Sequence, residues 1–236
     1  MESLNVNKLV ILFVLGAFLG EILETLFCRI AGKKWMNRST YIFWPLSSVW
    51  GGAFLLASIS YYWLRNSTIL LIFVAGFLFG SLYEYFYSAV LEKVFSVKFW
   101  DYSGFRYHIK GRVNLPYSIG WGVIAVLWMR VIYPTIEEWM NGMSSSVILA
   151  AGIALAMELI IDTIITLFAL FRYSHRFCLS KEEKGESKSC ISGRLSYEKC
   201  SDKSKKSVSA LVDGYFTDAY MEEIFPYMLR VEKRKL

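Results

Sequence analysis

Residues 68–84 read TILLIFVAGFLFGSLYE, a run that carries no charge until its last position, Glu84. A water-soluble domain rarely holds such a run, whereas about twenty mostly apolar residues are what a helix needs to cross a roughly 30 Å hydrocarbon layer. The run continues past Glu84 to about Leu91, and four more segments of the same character flank it. Leu9 to Ile30 is interrupted by Glu21 and Glu24, and Tyr41 to Leu64 contains no charge. Leu115 to Met129 can extend through Arg130 to Tyr133, and Val147 to Phe171 holds Glu158 and Asp162. In lipid the backbone must satisfy its own hydrogen bonds, which makes each segment a helix; a barrel would show short alternating segments instead. The expected fold is therefore all-α, a polytopic transmembrane helical bundle of about five spans. Composition agrees, with 55% hydrophobic and 17% aromatic residues and a mean hydropathy of +0.39.

The first segment reads as a retained helix. It has an acid near its start, no basic n-region, and acids where a small-residue cleavage site should lie. Residues 1–172 then form the five-helix membrane domain, and 173–236 a basic tail. Lys and Arg set the orientation. Arg29, Lys33, Lys34 and Arg38 follow the first helix; Lys93, Lys98, Arg106, Lys110 and Arg112 follow the third; the tail is densely basic from Arg172 to Lys206. The opposite loops offer Arg65, and Glu137 and Glu138 with Arg130 at their edge. The expected location is the cell membrane, with the N-terminus outside and the C-terminus cytoplasmic. The net charge of +6 then expresses topology and attraction to anionic membrane lipids, not nucleic-acid binding. The cysteines, Cys28, Cys178, Cys190 and Cys200, all fall in the membrane or on the cytoplasmic side, where reduced thiols are expected.

The stretch quoted first recurs. Gly76, Gly80 and Glu84 stand at intervals of four, as do Gly16, Gly20 and Glu24 in the first helix. After each basic loop comes Pro-x-Ser-x-x-Trp-Gly: Pro45, Ser47, Trp50, Gly51, and again Pro116, Ser118, Trp121, Gly122. Ala150, Ala154 and Glu158 form a weaker third copy of the first part. Helices 1–2 and 3–4 thus read as a parallel internal repeat with its pseudo-axis along the membrane normal. The second basic loop carries an insertion, which contains Trp100, Asp101 and Tyr102.

Small residues four apart give a flat helix face, and close packing is sufficient reason for the glycines. The carboxylates demand more. At the helical rise, Glu24 and Glu84 lie about 24 Å from the outer ends of their helices and Glu158 about 18–20 Å. An acid at that depth costs roughly 2.5–3.5 kcal/mol and faces the bundle interior or a wet cavity. Glu24, Glu84, Glu158 and Asp162, with Ser47, Ser118, Trp50 and Trp121, make a candidate intramembrane polar site. Three readings stand: structural hydrogen bonding to neighbouring helices, a polar path for a cation or proton, and acid–base catalysis by an intramembrane enzyme. Pro45 and Pro116 suit helix starts, where the missing N–H costs little. In the inserted loop, Phe95, Phe99, Trp100, Tyr102, Phe105 and Tyr107 suit interfacial anchoring. Asp101 there could pair with Arg106 or Arg112, or contact a partner or a polar substrate. Trp100, Asp101, Tyr102, Arg112 and Asn114 form a second candidate site, on the cytoplasmic face.

No Gly-x-x-x-x-Gly-Lys-Ser/Thr loop occurs, so the chain is not itself an ATPase; Gly-x-Ser-x-Gly and His-Glu-x-x-His are also missing. His175, Cys178, Cys190 and Cys200 fit no standard zinc spacing, and neither a metal nor a cofactor is expected. Lys181 to Lys206 is Ser/Lys/Glu-rich and expected to be disordered. Apolar spacing returns over 208–231, as an amphipathic helix broken near Pro226 that could lie on the membrane, dock on the bundle or bind a partner.

Trp100-Asp101-Tyr102-Ser103, Gly111-Arg112-Val113-Asn114-Leu115 and Trp121-Gly122 resemble the "WDYS … GRINL … WG" stretch of the CmpB-like (type IV) ABC-transporter permease family. Asn37-Arg38 and Pro45 to Gly51 resemble its "NRG-L-GP-x-x-PIYG" stretch. Ser39 stands in place of the glycine, Trp44 precedes Pro45, and Ser48-Val49-Trp50 replaces the Ile-Tyr-Gly-like residues. The resemblance spans about residues 10 to 135 and leaves the tail outside. It implies a bacterial multi-pass permease subunit for a small solute or ion, with a separate ATPase as partner; no established substrate or catalytic residue comes with it. The alternatives are an intramembrane enzyme acting on a lipid or isoprenoid, and a non-catalytic membrane scaffold or regulator. Five helices make a small bundle, so a translocation path would call for a homodimer.

Overall fold

The computed structural model describes residues 5–30, 38–183 and 212–231, without the side chains of 177–183. Five helices run back and forth: α1 (Val6–Ile30), α2 (Ser48–Leu64), α3 (Ile69–Phe95), α4 (Leu115–Gly142) and α5 (Ser145–Glu183). Four of these, α1, α3, α4 and the Ser145–Arg176 part of α5, are long and apolar enough to cross a membrane, and α2 has 17 residues. A short α6 (Asp218–Ile224) follows. The only strands among the described residues are two-residue pairs: β1 (Val97–Lys98) with β4 (Leu229–Arg230), and β2 (His108–Ile109) with β3 (Val113–Asn114), both antiparallel. The fold is an all-α polytopic bundle. The end where α1, α3 and α5 finish, which carries both strand pairs, is called the hairpin end below.

Three boundaries differ from the sequence expectation. The second helix does not begin at Tyr41; residues 39–47 are non-helical, though Ser39, Thr40, Tyr41, Ile42, Leu46 and Ser47 are all buried. Pro45 lacks an N–H, and the amides of Ile42, Phe43 and Trp44 are taken by Asp162 of α5 rather than by a helix ladder. Irregular backbone in a membrane domain is tolerated where protein buries it. The fourth helix does not stop near Tyr133 but runs through Glu137 and Glu138 to Gly142. Glu137 accepts a 2.6 Å bond from the Tyr62 hydroxyl of α2, so a charge expected in a loop is a helix–helix contact. The fifth helix continues well beyond Phe171, and the stretch expected to be disordered begins inside it. From residue 184 to 211 that stretch lies outside the described residues, as do Cys190 and Cys200.

Helix packing follows the small residues. A Cβ on Gly16 would stand 2.7 Å from Cβ of Phe54, and one on Gly76 would stand 2.3 Å from Cβ of Ala125. Without a hydrophobic force between helices in lipid, such close van der Waals approach is the main source of association. The α3 and α4 helices each contain a π-turn, at Gly76–Gly80 and Trp128–Ile132. Phe54 and Trp128 stack at 4.1 Å in the mid-bundle core with Leu12, Ile72 and Tyr133.

A second core closes the hairpin end. Met221, Phe225 and Met228 are buried against Ile42, Leu91, Phe99 and Tyr173. Of the expected amphipathic helix of 208–231, residues 208–211 lie outside the described residues, and the rest includes a short helix and a strand docked on the bundle. Arg172 and Arg176 clasp Asp213, Arg176 and Arg230 clasp Asp218, and the Arg230 guanidinium lies 3.5 Å over the Tyr173 ring.

Hydrogen bonds from Arg172 and Arg176 hold the Asp213 carboxyl below its usual range. At Asp218 burial opposes ionisation, but Arg230 and Arg176 outweigh it and lower that carboxyl too. A group depressed in the folded state stabilises above its unfolded pKa of about 3.9 and loses that contribution as pH falls through the folded value. Amide protection over residues 212–231 is therefore expected to be intact at about pH 5 and to fall at about pH 3, while α1 keeps its protection. Equal protection of the segment at both values would mean that apolar burial alone holds it.

Candidate functional site

The two copies of Gly-x-x-x-Glu act as receptors for the two tryptophans. Trp50 of α2 lies over Gly20, where an added Cβ would stand 2.1 Å from the indole Cγ, and Trp121 of α4 lies over Gly80, where the gap would be 2.8 Å. One turn further on, the carboxylate accepts the indole proton: Trp50 Nε1 to Glu24 Oε1 at 2.8 Å, Trp121 Nε1 to Glu84 Oε2 at 2.9 Å. The glycine after each tryptophan repays the approach. A Cβ on Gly51 would meet the Phe13 carbonyl at 2.9 Å, and one on Gly122 the Phe73 carbonyl at 2.9 Å. Glycine, glutamate, tryptophan and glycine thus form one clasp, present twice. The clasps meet, with the Trp50 and Trp121 rings 4.8 Å apart.

The partners of the two carboxylates differ. Glu24 takes an ion pair from Arg38 Nε at 3.0 Å, and the Arg38 backbone amide donates to Glu21 at 2.7 Å. Burial works against the Arg38 charge, but Glu24 overrides it and holds the guanidinium above its ordinary value. Tyr227 from the docked C-terminal segment covers the other side of Arg38, its ring 4.1 Å away. Glu84 is buried and takes the Tyr102 hydroxyl at 3.0 Å. Burial pushes the Tyr102 phenol well above its usual range, with Glu84 and Glu24 adding to the effect, so it remains a donor. Tyr102 also stacks on Tyr117 at 4.8 Å. Among the described residues no cation pairs with Glu84. Glu24 is thus matched by a guanidinium, while Glu84 is held by two neutral donors, an arrangement suited to exchange of a proton or a cation.

Glu158 and Asp162, grouped with the other two on the sequence, share no hydrogen-bond partner with them among the described residues. Asp162 accepts from the amides of Ile42, Phe43 and Trp44 at 3.1–3.4 Å and from Thr166 Oγ1 at 3.0 Å; Glu158 accepts the Trp44 indole at 3.2 Å. Both hold the buried loop. Ser47 is buried and gives its amide to the Ala17 carbonyl, and Ser118 accepts from Ser81 Oγ at 2.7 Å. These serines join helices at the start of α2 and α4 and touch neither carboxylate.

The second candidate site divides in two. Trp100 stacks on Tyr87 and donates to the Arg112 carbonyl at 2.9 Å, and Tyr102 turns inward to Glu84. Asn114 caps α4 through the Tyr117 amide, and Arg112 pairs with Glu92 at 2.9 Å. These four residues fasten the loop to the bundle. Asp101 alone is exposed. It pairs with Lys98, not with Arg106 or Arg112, and accepts from the Ser103 amide. Burial raises its carboxyl, but those bonds prevail and the net effect is a lowering. Gly111, at φ +70°, is required beside it, because a Cβ there would stand 2.4 Å from Asp101 Oδ1. Sequence reading counted Arg38 as a topology charge and left Glu21 and Tyr117 out of the site; the Asn37-Arg38 pair was the one available signal.

Fold and site define a multi-pass, all-helical membrane protein with a paired tryptophan–carboxylate centre. Residues 11–167 match the family described as "Putative ABC-transporter type IV", and the chain belongs to that family. The match takes in most of α5, beyond the motifs that first suggested it. No curated protein and no solved structure matches the chain.

Proposed function

We propose that the chain is the permease subunit of an ATP-driven transporter for a small solute or ion, and that Glu24, Glu84, Trp50 and Trp121 form its substrate site. The observation that carries the proposal is the meeting of the two clasps, which puts a buried carboxylate, bound among the described residues only by neutral donors, where two equivalent helix pairs join. An acid kept at that depth by packing alone would be replaceable by an amide, whereas one that exchanges a proton or cation would not. The matching contacts of Gly20 with Gly80, Glu24 with Glu84, Trp50 with Trp121 and Gly51 with Gly122 support a parallel duplication. In this reading α2 is a fifth span, residues 1–172 are the membrane domain, and 173–236 form its cytoplasmic cover. The N-terminus is outside, and two copies assemble around the path. The exposed Asp101 and the hairpin tip beside it then face the ATPase.

Two measurements test this. Affinity purification from native membranes in mild detergent is expected to retain a nucleotide-binding subunit with ATPase activity. The Glu84→Gln variant is expected to lower that activity at least about tenfold while keeping helical content, and Glu158→Gln to leave it near wild type. A lone, ATP-indifferent protein, or full activity in Glu84→Gln, would remove the proposal. The enzyme alternative has less support: Glu158 and Asp162 are occupied by the loop, and among the described residues no group of three His, Cys, Asp or Glu is placed to hold a metal.

A further inference from the structure

An apolar cleft of about 120 Å³ lies between α2, α3 and α4. Its walls are set by small residues, Ala53 and Ala57 on one side and Gly76 and Ala125 on the other, and Tyr83 and Trp121 line it as well. A cavity of about 150 Å³ with aliphatic and aromatic walls stays dry and accepts a benzene ring, so this space suits hydrocarbon and not water. It is bounded by helices of the membrane bundle, and lipid chains surround them.

The cleft is continuous with the site described above. Trp121, one of its walls, is the indole that donates to Glu84, and Gly80, over which Trp121 lies, also lines the cleft. Beside them Tyr83 precedes Glu84 in the chain. Its hydroxyl lies so close to Gly52 that a Cβ there would stand 2.2 Å from it, and it makes no hydrogen bond among the described residues. One compartment is therefore apolar and open to chains, and the next holds a buried carboxylate that no cation meets among the described residues. Trp121 belongs to both. An ordinary bilayer lipid would satisfy the first compartment alone. A ligand that satisfies both has a hydrocarbon chain and a positive head, because a cation gains from an indole and from a desolvated carboxylate together.

We infer that this cleft seats the chain of a single-chain amphiphile whose cationic head lies against Trp121 and Glu84. The inference rests on the reading of Glu84 as part of a substrate site and narrows the substrate class to amphiphilic amines.

The test uses the full chain in phosphatidylcholine nanodiscs, with quenching of tryptophan fluorescence as the readout and empty discs as the blank. The probes are dodecyltrimethylammonium, a neutral dodecyl ether, dodecanoate and tetramethylammonium. Dodecyltrimethylammonium is expected to bind saturably, about tenfold or more tighter than the neutral and anionic amphiphiles and than tetramethylammonium. Glu84→Gln is expected to bring it to the level of the neutral ether. Ala57→Phe, which fills the cleft away from the carboxylate, is expected to abolish the advantage of the long chain and leave tetramethylammonium binding unchanged. Equal binding of all three dodecyl amphiphiles would overturn the inference and make the cleft an ordinary lipid seat. Binding of tetramethylammonium as tight as that of the long-chain cation would also overturn it, while leaving Glu84 as a cation site. If no cation binds at all, the inference falls with the substrate-site reading of Glu84.

Discussion

Asp162→Ala is expected to lower the thermal stability of the detergent-solubilised protein more than any other carboxylate substitution. The side chain accepts from three consecutive amides of a part-buried, non-helical loop and from Thr166. Among the described residues the Phe43 and Trp44 amides have no other acceptor, and Ile42 retains only Thr166 Oγ1 at 3.2 Å. A buried donor left unsatisfied costs about 1–3 kcal/mol, so losing the acceptor of two amides costs on the order of 2–6 kcal/mol. That is a large part of the roughly 5–15 kcal/mol that holds a typical fold together. Asp162→Asn keeps one acceptor oxygen and should fall between. Glu158→Gln, which touches one exposed indole, should change little. The measurement is a melting curve read by tryptophan fluorescence. If Asp162→Ala melts within about 2 °C of wild type, equivalent to under ~1 kcal/mol for a chain of this size, something else holds the loop.

The second large effect is steric. Gly20→Val and Gly80→Val each place atoms where an indole already stands, at 2.1 Å and 2.8 Å for the first carbon alone. The neighbouring atoms are the root of Trp50 or Trp121, not a flexible tip, so the helices must part. Overpacking of this kind typically costs about 1–3 kcal/mol, and the clasp adds the loss of its indole–carboxylate bond, about 1.5–3 kcal/mol for a charged acceptor. Both variants are expected to reduce the yield of monodisperse protein several-fold, Gly20→Val more severely. Gly120→Ala, with nothing within 4 Å of the new methyl, is the control and should be neutral or slightly stabilising. Normal yield from Gly20→Val would mean that α1 and α2 do not need this contact.

The spans were legible because α1, α3, α4 and α5 each carry an apolar run of the required length, which no side-chain detail can hide. The clasp was half legible. The spacing of Gly20 to Glu24 and Gly80 to Glu84 exposed the receptor, and Trp50 and Trp121 stood in the matching motif. That the indole docks on the glycine needed the crossing of two helices, which no local pattern encodes. Residues 41–47 misled because they are as apolar as a span. They fail to be helical through an acid more than a hundred positions away, Asp162. Glu137 and Glu138 looked like a loop for the opposite reason: charge suggested solvent, while Tyr62 supplied a partner inside the bundle. Tyr102 looked like an interfacial anchor, and only the fold of the inserted loop, with its tight turn at Gly111, aims it at Glu84.

The docked segment has a consequence for how the protein is made. Residues 212–231 touch Ile42, Leu91, Phe99 and Tyr173, which belong to four earlier parts of the chain. Their place is therefore complete only when α5 has been inserted. Translation at roughly 5–20 residues per second needs about 2–8 s to cover the 41 positions from Arg172 to Asp213. Throughout that interval Arg38 stands bare where Tyr227 will later cover it, beside an apolar surface awaiting Met221 and Phe225. A chain that ended in this window would leave that apolar surface uncovered at the end of an inserted bundle.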